Sequence, residues 1–229
     1  MLKKSLAIAV ILFGLVAWYA VVIATDFALT NVLEIDGGWR YATLGLVEFF
    51  LGGAIILLAL RMAGLGPKEV GFTTHKLAAD LAVGLLIAIL FAALQILVLI
   101  PATGGATRSD VVANSAQLGT ELSTLAGVLT LGLFGSTAEE LLFRGLLLGG
   151  LASTFGSAFF ARMFATIFVV VLFALSHGYQ GWAGIIDTGL YGGLTLSLLY
   201  WWRGGRLAAP IAAHVGWNVI AAIWLFFFV

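Results

Sequence analysis

Apolar residues occupy most of this chain and fall into seven long stretches separated by short polar or glycine-containing segments. A helix that crosses a membrane needs about 20 apolar residues, so these stretches are close to the length of one crossing. The pattern predicts an all-α fold, a polytopic membrane helical bundle with about seven transmembrane helices. The predicted helices cover residues 5–24, 41–62, 77–100, 122–153, 161–177, 185–202 and 207–228.

The fourth predicted helix, 122–153, is longer than one crossing requires. We expect it to tilt, to kink near Gly132 and Gly135, or to continue beyond the membrane. No long linker or low-complexity tract interrupts the chain. The sequence therefore predicts a single membrane domain, 1–229.

The composition also indicates a membrane protein, because 62% of the residues are hydrophobic and only 10% are charged, too few for the surface of a soluble domain. Eleven basic and eleven acidic residues cancel, so we expect no nucleic-acid partner. The chain has no cysteine, which excludes thiolate catalysis, zinc bound by sulfur, and disulfides. Any chemistry must therefore come from Glu, Asp, His, Asn, Ser or Arg.

Basic residues lie at alternate ends of the predicted helices, whereas the 26–36 loop is acidic. By the positive-inside rule, this distribution places the N-terminus in the cytosol. The first apolar run is longer than the core of a secretory signal, so we interpret it as an uncleaved anchor. Seven crossings would then place Val229 on the other side. The basic residues that support this orientation are Lys3, Lys4, Arg61, Lys68, Lys76, Arg203 and Arg206.

Two adjacent acids and an arginine, Glu139, Glu140 and Arg144, lie in the middle of the fourth apolar stretch. An ionised side chain near the bilayer centre costs about 2.5 to 3.5 kcal/mol, so intramembrane acids are candidate functional residues. Residues four apart share a helix face, which predicts that Glu140 and Arg144 form a supporting ion pair. Glu139 is then free to act as a general base. The alternative is a purely structural charge cluster that fixes helix packing.

Two of the three histidines also fall in apolar stretches, and each lies four residues from another candidate. Phe173 and His177 share one helix face, and His214 and Asn218 share another. Each histidine taken alone is more typical of a buried residue with a structural role than of a catalytic residue. Taken together with Glu139, these groups supply a base, a second group that orients water, and two donors for an oxyanion, which is the set needed to hydrolyse a carbonyl.

We expect water to be the nucleophile, and we favour a mechanism without a cofactor. Ser136 and Ser176 lie near the polar segments, but neither has the Gly-x-Ser-x-Gly surroundings of an activated serine. Glu139, His177 and His214 would suffice as zinc ligands with water in the fourth position, so zinc is the alternative. The chain lacks the His-x-x-x-His spacing of dedicated zinc sites, which favours a metal-free glutamate mechanism.

Three polar motifs follow one another within the apolar segments of the second half of the chain. They are Glu139-Glu140-x-x-x-Arg144, Phe173-x-x-x-His177 and His214-x-x-x-Asn218. This ordered set resembles the motifs of the CPBP family, the CAAX-protease and bacteriocin-processing (Abi-type) intramembrane proteases. The resemblance covers 139–218, within a catalytic-motif core at 122–228.

The resemblance implies an α-helical intramembrane endopeptidase in the cytoplasmic membrane of a prokaryote. Its expected partners are the lipid bilayer and a hydrophobic peptide or membrane-protein substrate. By carry-over from the family, Glu139 and His177 activate water. His214 and Asn218 match the oxyanion clamp, and the Glu140–Arg144 pair matches the supporting pair.

Phe173 and Asp187 are predicted as possible cavity residues. Asp187 lies between the second and third motifs and beside glycines that permit close approach, although it also fits a buried group bonded to a neighbouring helix. Two other functions are compatible with the same residues. A non-catalytic membrane scaffold or peptide-immunity protein would use the motifs for helix packing, and a transporter would also place acids and histidines in membrane helices.

Overall fold

The structure is a computed structural model that describes residues 4–156 and 158–229. Lys3, which belongs to the basic N-terminal run, lies outside the described residues. The described residues contain no β-strand, so the all-α prediction is confirmed. The main helices are α1 (Lys4–Asn31), α2 (Gly37–Met62), α3 (Leu77–Ala102), α4 (Ser109–Leu118), α5 (Leu122–Phe155), α6 (Phe159–Ser176), α7 (Gly184–Gly192 continued by Gly193–Trp202) and α8 (Ala208–Phe228).

The helices α1, α2, α3, α5, α6 and α8 are long and apolar enough to cross a membrane. The remaining predicted segment, 185–202, is helical as well, and it forms most of α7. Asp187 and several glycines make α7 less apolar than the other six. The short helix α4 was not predicted, because it is too polar to stand out in a hydropathy pattern. The prediction of a polytopic helical bundle is confirmed.

Glycines allow the helices around the centre of the bundle to approach closely. A Cβ atom on Gly38 of α2 would lie 1.9 Å from the carbonyl oxygen of Ser123, which is part of α5. A Cβ atom on Gly84 of α3 would lie 2.3 Å from the carbonyl oxygen of Ala209 in α8. Small residues permit such backbone contacts between membrane helices. They hold α2 against α5, and α3 against α8.

Four helices contain π-helical segments, which occur frequently at functional sites in proteins. The segments are Glu48–Gly52 in α2, Gln95–Leu99 in α3, Leu141–Gly149 in α5 and Gly184–Gly192 in α7. The irregular part of α5 thus begins directly after Glu140. Gly132 and Gly135, near which a kink was one of three expectations for this helix, lie in its regular α-helical part instead.

The bundle is densely packed at one end and hollow at the other. The packed end contains the main hydrophobic core, in which Ile56, Phe143, Leu147 and Tyr200 are at most 1% exposed. It also contains the loops 63–76 and 203–207, which are joined by a hydrogen bond from the Leu207 amide to a main-chain oxygen at 3.2 Å. The hollow end contains the loops 32–36, 103–108, 119–121 and 177–183.

Candidate active site

A cavity of about 890 Å³ occupies the hollow end of the bundle. Its volume falls within the range of about 300 to 1,000 Å³ that is usual for ligand sites. Glu139 of α5, His177 directly after α6, and His214 and Asn218 of α8 all line it. The structure therefore brings together the four residues for which the sequence predicts chemistry.

Glu140 and Arg144 form an ion pair in the protein interior beside this cavity. Arg144 Nη1 donates to Glu140 Oε1 at 2.7 Å, and neither side chain is exposed. Arg144 Nη2 donates to the carbonyl oxygen of Gly193 at 2.9 Å, and the guanidinium lies 4.6 Å from the ring centre of Phe173. The pair therefore joins α5, α6 and α7 at one point.

His214 lies between the two glutamates. Its Nδ1 is 2.8 Å from Glu140 Oε1, and its Nε2 is 3.8 Å from Glu139 Oε2. Because an ionised carboxylate only accepts hydrogen bonds, Nδ1 carries a proton and donates it to Glu140. A buried carboxylate orients a catalytic histidine in the same way in serine hydrolases. The other nitrogen, Nε2, lies on the side of Glu139 and makes no bond to Glu140.

His177 caps the C-terminus of α6, whereas the sequence placed it inside the helix. Its Nδ1 lies 2.8 Å from the carbonyl oxygen of Phe173, and the two rings are in contact with centres 4.7 Å apart. A carbonyl oxygen accepts, so Nδ1 donates, and the neutral ring keeps Nε2 as an acceptor. The four-residue spacing of this motif therefore fixes the imidazole through both the main chain and ring packing.

Ser136 holds Asn218 in place. Asn218 Nδ2 donates to Ser136 Oγ at 2.7 Å, and both residues line the cavity. An amide nitrogen has two N–H groups, so one of them remains available to another acceptor. From the sequence, we evaluated Ser136 only as a possible nucleophile. The signal for its other role was its spacing, since Ser136 lies one helical turn before Glu139 on the same face.

Two further polar residues line the cavity and were left without a role by the sequence. Glu48 of α2 is buried, and its Oε2 would lie 2.9 Å from a Cβ atom added to Gly135 of α5. Gln95 of α3 accepts a hydrogen bond from Trp217 Nε1 at 2.9 Å. Each of these polar residues begins a π-helical segment. Their position inside apolar runs was the only sequence signal, because α2 and α3 lie outside the three motifs.

Phe173 and Asp187, which were predicted as possible cavity residues, are not part of the cavity lining. Phe173 is fully buried, and its ring centre lies 5.7 Å from that of His214, so it supports the histidine from behind. Asp187 Oδ2 lies 2.6 Å from Arg108 Nη1, which agrees with the alternative of a polar group bonded to a neighbouring segment. Hydrogen bonds to Asp110 raise the pKa of Arg108, and its charge joins this end of α4 to α7.

The three alternative zinc ligands do not form a metal site as they stand. In the ranges 4–156 and 158–229, no three His, Asp or Glu side chains are arranged to hold a metal ion. His177 and His214 both donate through Nδ1, an orientation that metal-bound histidines share, but Glu139 does not complete a ligand set with them. The residues present therefore do not fit zinc in this arrangement.

Residues 121–220 match the family described as type II CAAX prenyl endopeptidase Rce1-like. No curated protein and no solved structure matches the chain. The matched segment contains all three polar motifs, so the resemblance that they indicated is confirmed. Together with the six long apolar helices, it makes the chain a multi-pass membrane protein. The similarity to CAAX-type prenyl endopeptidases therefore covers residues 121–220, which is less than half of the chain.

Proposed function

We propose that this protein hydrolyses a peptide bond in a hydrophobic or membrane-tethered peptide or protein, with water as the nucleophile. The separation of the two glutamates supports this proposal most directly. Glu140 is fully buried against Arg144, whereas the side chain of Glu139 remains 29% exposed and lines the cavity. A purely structural cluster has no need for an acid that is kept apart from the ion pair and open to a cavity.

In this mechanism, Glu139 removes a proton from a water molecule as the water oxygen attacks the carbonyl carbon of the substrate. His177 orients the same water, because its Nε2 is left as a hydrogen-bond acceptor by the contact of Nδ1 with the main chain. The new C–O bond forms as the carbonyl π bond opens. Negative charge then develops on the former carbonyl oxygen.

Asn218 and His214 stabilise this oxyanion. Asn218 donates through the N–H that Ser136 does not use, and His214 donates through Nε2 when both of its nitrogens carry protons. The C–N bond of the tetrahedral intermediate then breaks, and the proton held by Glu139 passes to the leaving amine. The products are a carboxylic acid and an amine, and Glu139 returns to its carboxylate form.

Substitution Glu139→Gln tests this function. Removal of the general base should lower kcat by about 10²- to 10⁴-fold while the protein still folds and accumulates. The measurement compares the membrane peptides that accumulate with wild-type protein and with variant protein. A peptide that is enriched with the variant is then tested for cleavage by the wild-type protein in detergent. Unchanged turnover in folded Glu139→Gln protein would contradict the mechanism and favour a non-catalytic scaffold.

The matched control is Glu140→Gln, which changes the neighbouring acid in the same chemical way. It leaves Arg144 with an uncompensated buried charge, which costs about 3 to 5 kcal/mol of stability. We expect this variant to unfold at lower temperature or to fail to accumulate. The two glutamates should thus separate into a catalytic and a structural phenotype.

We also propose that the reaction needs no metal ion. The side-chain set Glu139, His177 and His214 supports this view, because it is not arranged as a ligand set. Elemental analysis of active, purified protein should find no stoichiometric zinc, and activity should survive chelation. Stoichiometric zinc, with activity lost on its removal and restored on its return, would contradict this proposal.

A further inference from the structure

The two ends of the bundle differ in charge. Among the described residues, the packed end carries most of the basic side chains, and those of the hollow end, Arg40 and Arg108, are each paired with an aspartate. The short loops that connect membrane helices carry excess Lys and Arg on the cytosolic side. The basic residues of the packed end are Lys4, Arg61, Lys68, Lys76, Arg162, Arg203 and Arg206.

The cavity opens at the weakly basic end. Its lining includes Asn31 at the end of α1, Gln117 near the end of α4, and Gln180 in the 177–183 loop. All three belong to segments at the hollow end of the bundle. Ser109 Oγ donates a hydrogen bond to the main-chain oxygen of Gln180 at 2.8 Å. This bond fixes α4 beside that loop and so shapes the rim.

The packed end closes the route from the basic side. Phe143, Leu147 and Tyr200 fill the space below Glu140 and Arg144, and each is at most 1% exposed. Tyr200 also donates to the main-chain oxygen of Val70 at 3.3 Å, which ties the 63–76 loop over this core. A peptide cannot reach Glu139 through this close-packed region without unfolding it.

We propose that the catalytic cavity takes its substrate from the extracytoplasmic side of the membrane. The inference rests on the proposed peptidase function and names the substrate class: a peptide segment that is exported, or that is tethered to the membrane with its scissile bond on the outer side. A C-terminus that stays in the cytosol does not reach the cavity. Two features set the face that admits substrate. The basic loops place the packed end in the cytosol, and the packed half of the bundle blocks entry from that side.

The lining of the cavity fits such a segment. Its rim carries the amides of Asn31 and Gln117, which can pair with the main chain of an extended peptide without selecting a charge. Ile23 and Phe27 of α1 also line the cavity, and they are 64% and 60% exposed. An apolar segment held in the outer half of the bilayer can therefore lie against α1 and enter from the side.

The absence of cysteine from the chain permits a direct test of the open face. Single substitutions Asn31→Cys and Gln117→Cys mark the rim, and Lys68→Cys marks a loop at the packed end. Each variant is treated in right-side-out membrane vesicles with a membrane-impermeant maleimide, before and after permeabilisation. We expect the two rim cysteines to react in sealed vesicles and Lys68→Cys to react only after permeabilisation. The opposite pattern, or rim cysteines that react only after permeabilisation, would overturn the proposal.

A second measurement separates this proposal from the proposed function. Internally quenched apolar peptides are added outside sealed right-side-out vesicles and outside inverted vesicles, each with wild-type or Glu139→Gln protein. We expect hydrolysis by wild-type protein in right-side-out vesicles alone. Hydrolysis confined to inverted vesicles would overturn the access route. Rim labelling as expected, with no peptide cleaved in either vesicle, would leave the access route standing and count against the peptidase function.

Discussion

At the scale of single residues, the adjacent glutamates have different surroundings because a helix turns about 100° between neighbours. Glu140 Oε1 accepts hydrogen bonds from both Arg144 and His214, whereas Glu139 faces the cavity. The four-residue spacing was sufficient to predict the Glu140–Arg144 pair. It was not sufficient to predict the contact with His214, because the two residues are 74 positions apart and only the packing of α8 on α5 joins them.

The bond between Ser136 and Asn218 gives a prediction at this scale. Substitution Ser136→Ala removes the oxygen that accepts from Asn218 Nδ2, so the amide is no longer held toward the cavity. We expect kcat to fall, but by less than the factor of about 10² to 10³ that is lost when an oxyanion donor is removed completely. KM should change little, because the bond orients a group that acts in the transition state. Steady-state kinetics on an identified peptide measures both values.

The control for this prediction is the neighbouring substitution Thr137→Ala. Thr137 Oγ1 donates to the carbonyl oxygen of Leu133 in its own helix and is not part of the cavity lining. Its removal should leave both kinetic constants unchanged. If Ser136→Ala behaved like Thr137→Ala, Asn218 would not depend on Ser136 for its position.

At the scale of elements, the helices are placed by contacts that hydropathy does not report. The sequence predicted where each long helix lies, and α8 at Ala208–Phe228 differs from the predicted 207–228 by one residue. It did not predict the π-helical segments, because these depend on hydrogen bonds that shift when neighbouring helices pack. Glycine spacing suggested close approach, but the partner of each glycine follows only from the fold. Gly127 of α5, for instance, lies against Gly38 of α2.

The contact between α2 and α5 is the basis of a second prediction. A Cβ atom at Gly127 would lie 2.0 Å from the Gly38 carbonyl oxygen, so Gly127→Ala forces the two backbones apart. Alanine gains about 1 kcal/mol of helix propensity over glycine, but overpacking costs about 1 to 3 kcal/mol, and here the clash is with main chain that has no side chain to move. We expect the thermal unfolding temperature in detergent to fall.

Gly53→Ala in α2 is the matched control. A Cβ atom there has no atom within 4 Å among the described residues, so the gain in helix propensity is not opposed by a clash. The unfolding temperature should stay the same or rise. Equal effects of the two substitutions would show that the backbone contact between α2 and α5 does not control stability.

At the scale of the whole molecule, the same helices enclose a dense core at one end and a cavity at the other. Hydropathy cannot distinguish a side chain that faces lipid from one that faces another helix, so the division of the bundle into two halves was beyond the sequence. Each end is held by its own ion cluster. Asp80 lies 2.7 Å from Arg203 and 2.6 Å from Arg206 at the packed end, whereas Arg108 joins Asp187 at the hollow end.

These two clusters should affect different properties of the protein. Asp80→Asn removes the charge that both arginines share, and because the arginines keep 16–17% exposure, we expect a loss of about 1 to 3 kcal/mol, less than for a fully buried pair. This corresponds to an unfolding temperature lower by about 2 to 4 °C per kcal/mol, with kcat and KM unchanged. Asp187→Asn removes the ion pair that links Arg108 to α7, while Arg108 keeps its pair with Asp110. The start of α4 at the cavity rim then loses its charged anchor to α7, so we expect KM to rise in addition to a loss of stability. Thermal unfolding and steady-state kinetics on both variants test whether the two clusters act separately. Altered kinetics in Asp80→Asn would show that the two ends of the bundle are coupled.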